Sequence, residues 1–376
     1  MSKRKSSRPG AVVYPPVLKD RVKQTQKRIR EWGADALLLT NEPDIRYLTG
    51  FHGEASWAIV PARSSKLTVI SDSRFDEEID RQAPQVTKVI RKAGLTEEVK
   101  KIAGKKSFKR VALQKNHVSM VVHEAIQKKL GKRRLMYVDD GMLDQRAIKD
   151  KGEIALIKKA GQIQCEALKK TLKFIKPGMT ENVIAGHLEY QMRLAGAEDY
   201  AFNSIVAADG NAALPHAIPD KKKVRKGGVL LIDWGAMYEG YRSDMTRTYA
   251  LGKWPRKMEE VYKIVLEAQL TAIDAIAPGE SLKKIDKIAR DIITKAGYGK
   301  EFGHSLGHGI GLNVHESPNL HKKAKGVLEP NQVVTVEPGI YLRGVGGVRI
   351  EDDILVTAKG HKVLTNLPSD FKSAII

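Results

Sequence analysis

The sequence predicts two domains, an α/β domain over residues 16–145 and an α+β domain over residues 150–370. Three observations support this fold class. The length of 376 residues exceeds what one hydrophobic core usually covers. Short apolar runs alternate with lysine-rich helical segments up to about Asp140, as in α/β domains. From Ala201 onward the apolar pattern changes to the alternation of strands, interrupted by two helical patterns.

The first domain follows a basic leader over residues 1–15, which we expect to be disordered. Helical spacing predicts a helix over Leu18–Trp32, and the apolar run Ala36–Thr40 predicts a short buried strand. The same patterns predict further strands at Trp57–Val60, Leu67–Ile70 and Val111–Leu113, and helices at Thr96–Ile102 and Val121–Leu130.

The second domain begins with a long helix over Asp150–Phe174, which a proline and a glycine at positions 177 and 178 end. The later strands favour a mostly antiparallel sheet with helices on one face. The remaining predicted helices are Asn182–Ala195, Met258–Ile276 and Leu282–Ala296, and the strands are Val229–Asp233, Arg242–Thr248, Val333–Glu337 and Val348–Leu355.

The composition excludes several classes of protein. With 42% hydrophobic and 29% charged residues it is typical of a globular chain. No apolar run approaches the roughly 18 residues of a membrane span, and the basic start lacks the apolar segment of a signal peptide. We therefore expect no membrane partner and a cytoplasmic protein. The single cysteine, Cys165, excludes a disulfide framework.

The formal net charge is +21, and the excess lies mainly in the first part of the chain. Residues 1–150 carry 32 Lys and Arg against 18 Asp and Glu, whereas residues 151–376 carry 33 against 26. Such a surface could attract nucleic acid through counterion release. The basic runs are scattered, however, and only 6% of the residues are aromatic, so the pattern favours a solvated, solubilising surface.

Two aspartates stand at the ends of apolar strand patterns. Asp233 follows four apolar residues, and Asp244 comes after a glycine-containing turn that could place both on adjoining strands. Two carboxylates so close are tolerated around a cation. Alternatively, Asp244 pairs with Arg247 or Arg242, and Asp233 caps a turn.

Two glutamates repeat the pattern and favour the metal interpretation. Glu337 ends one predicted strand and Glu351 lies inside another. Four carboxylates balance two divalent cations, and oxygen-rich ligation with one nitrogen suits Mn, Co or Zn.

Three histidines lie in the glycine-rich segment FGHSLGHGIGLNVHESP, residues 302–318. Its glycines argue against a helix, so the spacing of His304 and His308 is not that of a helical zinc motif. Glycine flanks let the backbone pass close to a ligand. We expect His308 to supply the metal-binding nitrogen and His315 to face a substrate.

The ordered motifs PHA (215–217), DWGA (233–236), YRSDMTRT (241–248), GHGIGLNVHESP (307–318), TVEPGIY (335–341) and VRIED (348–352) resemble the Xaa-Pro peptidases, prolidase and aminopeptidase P. The resemblance covers about residues 150–365 and implies their pita-bread catalytic domain, which methionine aminopeptidase and creatinase share. Residues 15–145 resemble the creatinase-like N-terminal domain more loosely.

The resemblance implies two divalent metal ions, Mn or Co in preference to Zn. Asp233 would bind one ion, Asp244 and Glu351 would bridge both, and His308 and Glu337 would complete the other. Arg349 favours the Xaa-Pro branch over methionine aminopeptidase.

The same resemblance implies hydrolysis of the Xaa-Pro bond in proline-containing peptides by a metal-activated water, with Glu337 moving the proton, and a homodimeric protein. His216 and His315 would contact the substrate at the reacting centre, with His304 near the substrate pocket. Tyr241 and Arg349 would orient the substrate or support the ligands.

Three alternatives remain at this point. The enzyme could cleave dipeptides only or also longer peptides. The fold could instead serve as a non-catalytic binding module for an acidic partner. A creatinase-like amidinohydrolase needs no metal, and the five intact ligand positions disfavour it.

Overall fold

The structure is a computed structural model that describes residues 16–64, 66–139 and 141–376. It divides into two compact units, one ending at Gln145 and the other spanning Arg146–Ile376. The basic leader predicted over residues 1–15 lies outside the described residues. In the part of the chain that is described, every helix is too short or too polar to cross a membrane.

The first unit is built on one mixed six-stranded sheet. Its strands are β1 (Ala36–Leu39), β2 (Trp57–Pro61), β3 (Thr68–Ser71), β4 (Thr87–Ile90), β5 (Val111–Gln114) and β6 (Leu135–Val138). Its helices are α1 (Pro16–Glu31), α2 (Glu42–Thr49), α3 (Asp76–Gln82), α4 (Leu95–Lys105), α5 (Met120–Leu130) and α6 (Gly141–Ala147), which continues into the second unit. The strand order is β4-β3-β2-β1-β5-β6, and β1 runs parallel to β5 and antiparallel to β2. All four residues of β1 are buried, as its apolar run predicts.

The second unit combines four long helices with several small sheets. The helices are α7 (Lys151–Phe174), α8 (Glu181–Leu194), α9 (Arg256–Asp274) and α10 (Leu282–Lys295). The strands are β7 (Asp199–Tyr200), β8 (Ile205–Ala208), β9 (Val229–Trp234), β10 (Ala236–Tyr238), β11 (Tyr241–Arg242), β12 (Met245–Ala250), β13 (Gly307–Gly309), β14 (Glu316–Leu320), β15 (Val333–Val336), β16 (Gly339–Leu342), β17 (Gly346–Arg349), β18 (Asp352–Val356) and β19 (His361–Val363).

Two sheets of this unit carry the residues of interest. One has the order β12-β9-β8 and the other β14-β13-β15-β18-β19, and the strands of both pair antiparallel. Residues of all four helices and both sheets share one hydrophobic core, represented by Leu168, Ile184, Val261, Ile285, Ile232 and Val334. The predicted antiparallel α+β architecture is therefore observed.

Helix α7 shows how the sequence fixes an element boundary. Asp150 accepts a hydrogen bond from the Glu153 N–H, and the Glu153 side chain accepts one from the Asp150 N–H, which forms a capping box. Ile157, Ala160 and Ile163 are buried on one face of the helix. The helix ends at Phe174, before the predicted proline stop.

Two predicted strands differ from the structure in an informative way. Arg242–Thr248 divides between β11 and β12 with Asp244 in the break, and Val348–Leu355 divides between β17 and β18 with Glu351 in the break. The expectation of continuous strands was wrong at both places. A residue in a regular strand projects at right angles to its sheet, whereas a break frees the backbone to aim a carboxylate elsewhere.

Candidate functional site

A cavity of about 900 Å³ lies within the second unit. Its lining includes nine of the ten residues that the sequence singled out: His216, Asp233, Asp244, His304, His308, His315, Glu337, Arg349 and Glu351. These residues come from separate strands and loops over more than a hundred positions of the chain. The fold thus brings together what the sequence distributes.

Asp233 and Asp244 meet because β9 and β12 pair antiparallel, with Asp233 opposite Thr246. Both carboxylates are buried, and each has one oxygen, Oδ1, without a hydrogen-bond partner among the described residues. The other oxygen of Asp233 accepts a hydrogen bond from Arg349 at 2.6 Å. Unpartnered buried carboxylate oxygens are costly, so these two atoms fit the ligands of a cation.

His308 lies in β13 between two glycines, and its ring is oriented by its own backbone. Nδ1 is 3.0 Å from the carbonyl oxygen of Gly309, which can only accept, so Nδ1 carries the proton. Nε2 then presents its lone pair 3.4 Å from Glu337 Oε1 and 3.8 Å from Asp244 Oδ2. This is the tautomer of a metal-binding imidazole.

The glycines beside His308 allow close packing of the backbone. A Cβ on Gly307 would lie 1.9 Å from the Thr335 carbonyl oxygen, and one on Gly309 would lie 2.2 Å from that of Ser317. They allow neighbouring strands to approach, and Gly307 also lines the cavity, so the expectation of a close approach to a ligand stays a prediction.

Asp244, His308 and Glu351 each offer one ligand atom, and these atoms lie within 4.8 Å of one another. Glu351 is oriented by Thr246, whose hydroxyl donates to Oε2 at 2.6 Å. Glu337 follows β15 and accepts a long hydrogen bond of 3.4 Å from the Thr335 hydroxyl. We call Asp233, Asp244, Glu337 and Glu351 the carboxylate cluster.

Burial and mutual repulsion act on the protonation of this cluster. Burial, followed by the charge of Glu351, raises the pKa of Asp244 well above its usual range. Burial and the Glu337 charge do the same to the pKa of Glu351. Burial raises the pKa of Glu337 to about 8 although Arg349 opposes it. Burial lowers the pKa of His308 to about 4, which keeps its imidazole neutral.

The protein supplies little positive charge to this cluster. Among the described residues that line the cavity, Arg349 is the one with a permanent positive charge. Arg247, which the alternative interpretation paired with Asp244, instead binds Asp352 at 2.8 Å, and Arg242 donates to the carbonyl oxygens of Ala201 and Leu312. Four carboxylates with one guanidinium and a neutral imidazole fit a site for divalent cations.

The other three histidines lie on the cavity wall. His216 and His315 are exposed to the cavity, and the His315 ring packs edge-on against His308 with centroids 4.4 Å apart. His304 bonds through Nδ1 to the Ser305 carbonyl oxygen at 2.8 Å and through Nε2 to the Tyr341 hydroxyl at 2.9 Å. His304 thus lines the cavity with both ring nitrogens engaged by the protein.

Tyr241 is the predicted site residue that the structure does not bring to the cavity. Its hydroxyl donates to Glu153 of α7, because β11 turns the ring toward that helix. The structure gives the expectation that Tyr241 orients a substrate or supports the ligands no support, and it stays a prediction. The tyrosine that joins the site is Tyr341, whose hydroxyl accepts from Arg349 at 2.8 Å.

Sequence reasoning missed three supporting residues, Thr246, Tyr341 and Asp353. Thr246 accepts from Arg349 Nε at 2.9 Å, and Asp353 Oδ2 accepts from the Asp244 N–H at 3.1 Å. The expected antiparallel pairing of β9 and β12 could have identified Thr246, since it lies opposite Asp233 and directly opposed side chains face the same side of a sheet. We find no comparable signal for Tyr341 in the segment EPGIY.

Comparison with known proteins places this geometry in context. Residues 155–358 match Metallopeptidase family M24, and residues 21–148 match the Creatinase/Prolidase N-terminal domain. The chain is 36% identical to a Xaa-Pro dipeptidase of Pyrococcus horikoshii over 93% of its own length and 97% of that protein.

Solved structures give the same picture. A Xaa-Pro dipeptidase from Bacillus anthracis is 37% identical, with a TM-score of 0.91 over 96% of this chain and 100% of that one. An X-Pro aminopeptidase from Thermotoga maritima is 38% identical, with a TM-score of 0.84 over 91% and 99% of the two chains. The matches confirm the predicted fold class, a creatinase-like domain followed by a pita-bread domain.

Proposed function

The chain belongs to metallopeptidase family M24, and from this premise we propose that it hydrolyses the peptide bond before proline in Xaa-Pro peptides. One observation carries the proposal. The carboxylate cluster and His308 converge on one cavity with two buried carboxylate oxygens left unpartnered. Its relatives include proteins named Xaa-Pro dipeptidase and X-Pro aminopeptidase. The alternative of a non-catalytic binding module has no comparable observation in its favour.

The five residues fit a pair of divalent ions. In the proposal Asp233, Asp244, His308, Glu337 and Glu351 would hold them. When bound, such ions lower the pKa of a water and polarise the carbonyl that it attacks. Mn or Co is preferred over Zn, because the set is rich in oxygen and has one nitrogen.

The chain's own residues would then move protons and stabilise charge. Glu337 lines the cavity beside His308, where its carboxylate can take a proton and return it to the leaving nitrogen. That nitrogen belongs to a tertiary amide and must be protonated to depart. His315 and His216 lie on the cavity wall, where a ring N–H can donate to the developing oxyanion, typically for about 3 kcal/mol.

The proposal extends to the surroundings of the enzyme. Proline-containing peptides are the partners, and we propose a homodimer in the cytoplasm. Phe202, Ala217 and Val314 line the cavity and give it apolar surface that suits a proline ring or an apolar side chain.

The test combines metal analysis with a cleavage assay. The protein is stripped with a chelator, reloaded separately with Mn²⁺, Co²⁺ or Zn²⁺, and assayed on Leu-Pro, Leu-Pro-Ala and Leu-Ala. We expect up to two ions per chain by elemental analysis and cleavage before proline in the loaded protein alone. Equal cleavage of Leu-Ala, or undiminished activity after stripping, would refute the proposal. Comparing Leu-Pro with Leu-Pro-Ala separates a dipeptidase from an aminopeptidase.

A further inference from the structure

Helix α10 carries two ion pairs with the same four-residue spacing but different surroundings. Lys287 and Asp291 are both exposed, with side chains 65% and 61% accessible. Asp286 and Arg290 lie on the inner face, where the Asp286 side chain is 1% accessible and that of Arg290 22%. Arg290 Nε and Nη2 bond to the two Asp286 oxygens at 2.9 and 2.7 Å. Asp286 thereby fixes the plane of the guanidinium.

The remaining donors of Arg290 reach the backbone of the segment that leads to β13. Nη1 donates to the Phe302 carbonyl oxygen at 3.0 Å and Nη2 to that of His304 at 2.9 Å. The guanidinium also stacks 4.2 Å from the centroid of the Phe302 ring. Asp286 Oδ1 accepts from the Leu306 N–H at 3.2 Å. The pair thus holds residues 302–306 at both ends and in the middle.

This segment has little regular structure of its own. Residues 303–305 belong to no helix or strand, and the described structure records no backbone-to-backbone hydrogen bond for them. Gly303 is exposed, and a Cβ there would meet nothing within 4 Å. Neither backbone hydrogen bonds nor side-chain packing at Gly303 fix the path of residues 303–305. The hydrogen bonds from Arg290 and Asp286 are therefore the main constraint on this segment.

We propose that Asp286 and Arg290 are positioning residues that act on substrate binding through His304. The inference rests on the proposed function. The clamp, defined as Asp286 with Arg290, sets the place of the His304 backbone, from which the imidazole reaches Tyr341 and lines the cavity. Both ring nitrogens of His304 are bonded to the protein, so the imidazole has no N–H left for charge that develops in the transition state, and its displacement changes KM more than kcat.

The test replaces Arg290 with methionine, which keeps the aliphatic length and removes every donor. Arg290→Met should raise KM for Leu-Pro by about tenfold with kcat within about twofold of the wild type, and leave the metal content unchanged. Lys287→Met, which breaks the exposed pair on the same helix, is the matched control and should leave KM unchanged. An equal KM for Arg290→Met and the wild type would overturn the inference.

A double-mutant cycle separates positioning from general destabilisation. If Arg290 acts through His304, Arg290→Met should add nothing to the KM of His304→Ala, so the two effects are strongly non-additive. Additive effects, or a His304→Ala variant with normal KM, would refute this route of action.

A measurement without turnover keeps the two proposals distinguishable. The ¹⁵N chemical shifts of the His304 ring report the proton on Nδ1, which the Ser305 carbonyl holds. Arg290→Met should shift them and Lys287→Met should not. Unchanged shifts would count against the clamp whatever the activity. A wild-type protein that cleaves no Xaa-Pro peptide would refute the proposed function alone.

Discussion

The second unit contains two buried clusters of charge that are balanced in opposite ways. In the carboxylate cluster, Asp244 and Glu351 have pKa values raised well above the usual range by burial and by neighbouring carboxylates. In the other, which we call the ion triplet, Glu316 bonds to Arg146 and Lys149, and all three side chains are at most 2% accessible. Burial alone would raise the pKa of Glu316, but Lys149 and Arg146 outweigh it and lower the pKa.

The two clusters differ in how much positive charge the protein places beside their carboxylates. Glu316 is provided with cations from the protein and with the Asn313 N–H, so nothing further is required to hold it. The carboxylate cluster is left with one guanidinium for four acids. A cluster that the protein leaves uncompensated is a place where a cation from outside is expected. Three substitutions and one change of pH test this difference between the two clusters.

The largest effect is expected from Asp244→Asn. Loss of one of the carboxylates that would hold the ions should remove bound metal and lower kcat/KM by about 10³-fold or more. In the metal-free protein, however, the same change should raise the melting temperature at pH 8 by a few degrees, since one repelling charge is gone. Elemental analysis, the cleavage assay and melts in chelator measure these effects. Retained metal together with full turnover would contradict the assignment of Asp244.

The opposite result is expected from Glu316→Gln in the ion triplet. It leaves two buried cations with less compensation, and about 3 kcal/mol of the free energy of unfolding should be lost. Denaturant unfolding measures the loss, and Glu280→Gln in the exposed Glu280–Lys284 pair is the control, at about 0.5 kcal/mol or less. The triple variant Glu316→Leu, Arg146→Met, Lys149→Met should recover most of the lost free energy of unfolding.

The pH dependence of stability comes next in size. An acid whose pKa is higher in the folded than in the unfolded protein stabilises the fold fully at pH values below its unfolded pKa. This contribution is lost as pH rises through its folded pKa. For Glu337 that interval runs from 4.5 to about 8. The metal-free protein should therefore melt a few degrees lower at pH 8 than at pH 7, an interval above the range in which the neutral His304 and His308 gain protons on unfolding, and added Mn²⁺ should remove most of the difference. A metal-free melting temperature that rises over this interval would contradict the raised pKa.

The smallest effect is expected from Thr246→Val. The hydroxyl donates to Glu351 and accepts from Arg349, so its loss frees both partners while the shape of the side chain is kept. Metal affinity should weaken about tenfold, with little change in stability. Metal titration measures the affinity. Thr271→Val, which alters a hydroxyl bonded to the Glu267 carbonyl on the exposed face of α9, is the control. Unchanged affinity would mean that Glu351 is held without Thr246.

The amino-acid sequence predicted the strand that carries Asp233 and the strand that Glu337 follows, because an apolar run and a terminal acid are local signals. It did not predict the breaks at Asp244 and Glu351. Both carboxylates leave the ladder to reach a common point, and that point exists only when two sheets meet. A similar reason explains why the sequence did not predict where the rings of Tyr241 and Tyr341 lie. The direction of each ring depends on a residue distant in the chain, Glu153 of α7 for Tyr241 and Arg349 for Tyr341.

The break at Glu351 separates a strand of the β16-β17 ribbon from a strand of the five-stranded sheet, while Asp233 belongs to the sheet of β8, β9 and β12. Ions held by Asp233, His308 and Glu351 would therefore cross-link sheets that share few backbone hydrogen bonds. Binding free energy would be spread over the whole catalytic unit, so that a chelator would act on this protein as a mild denaturant as well as an inhibitor.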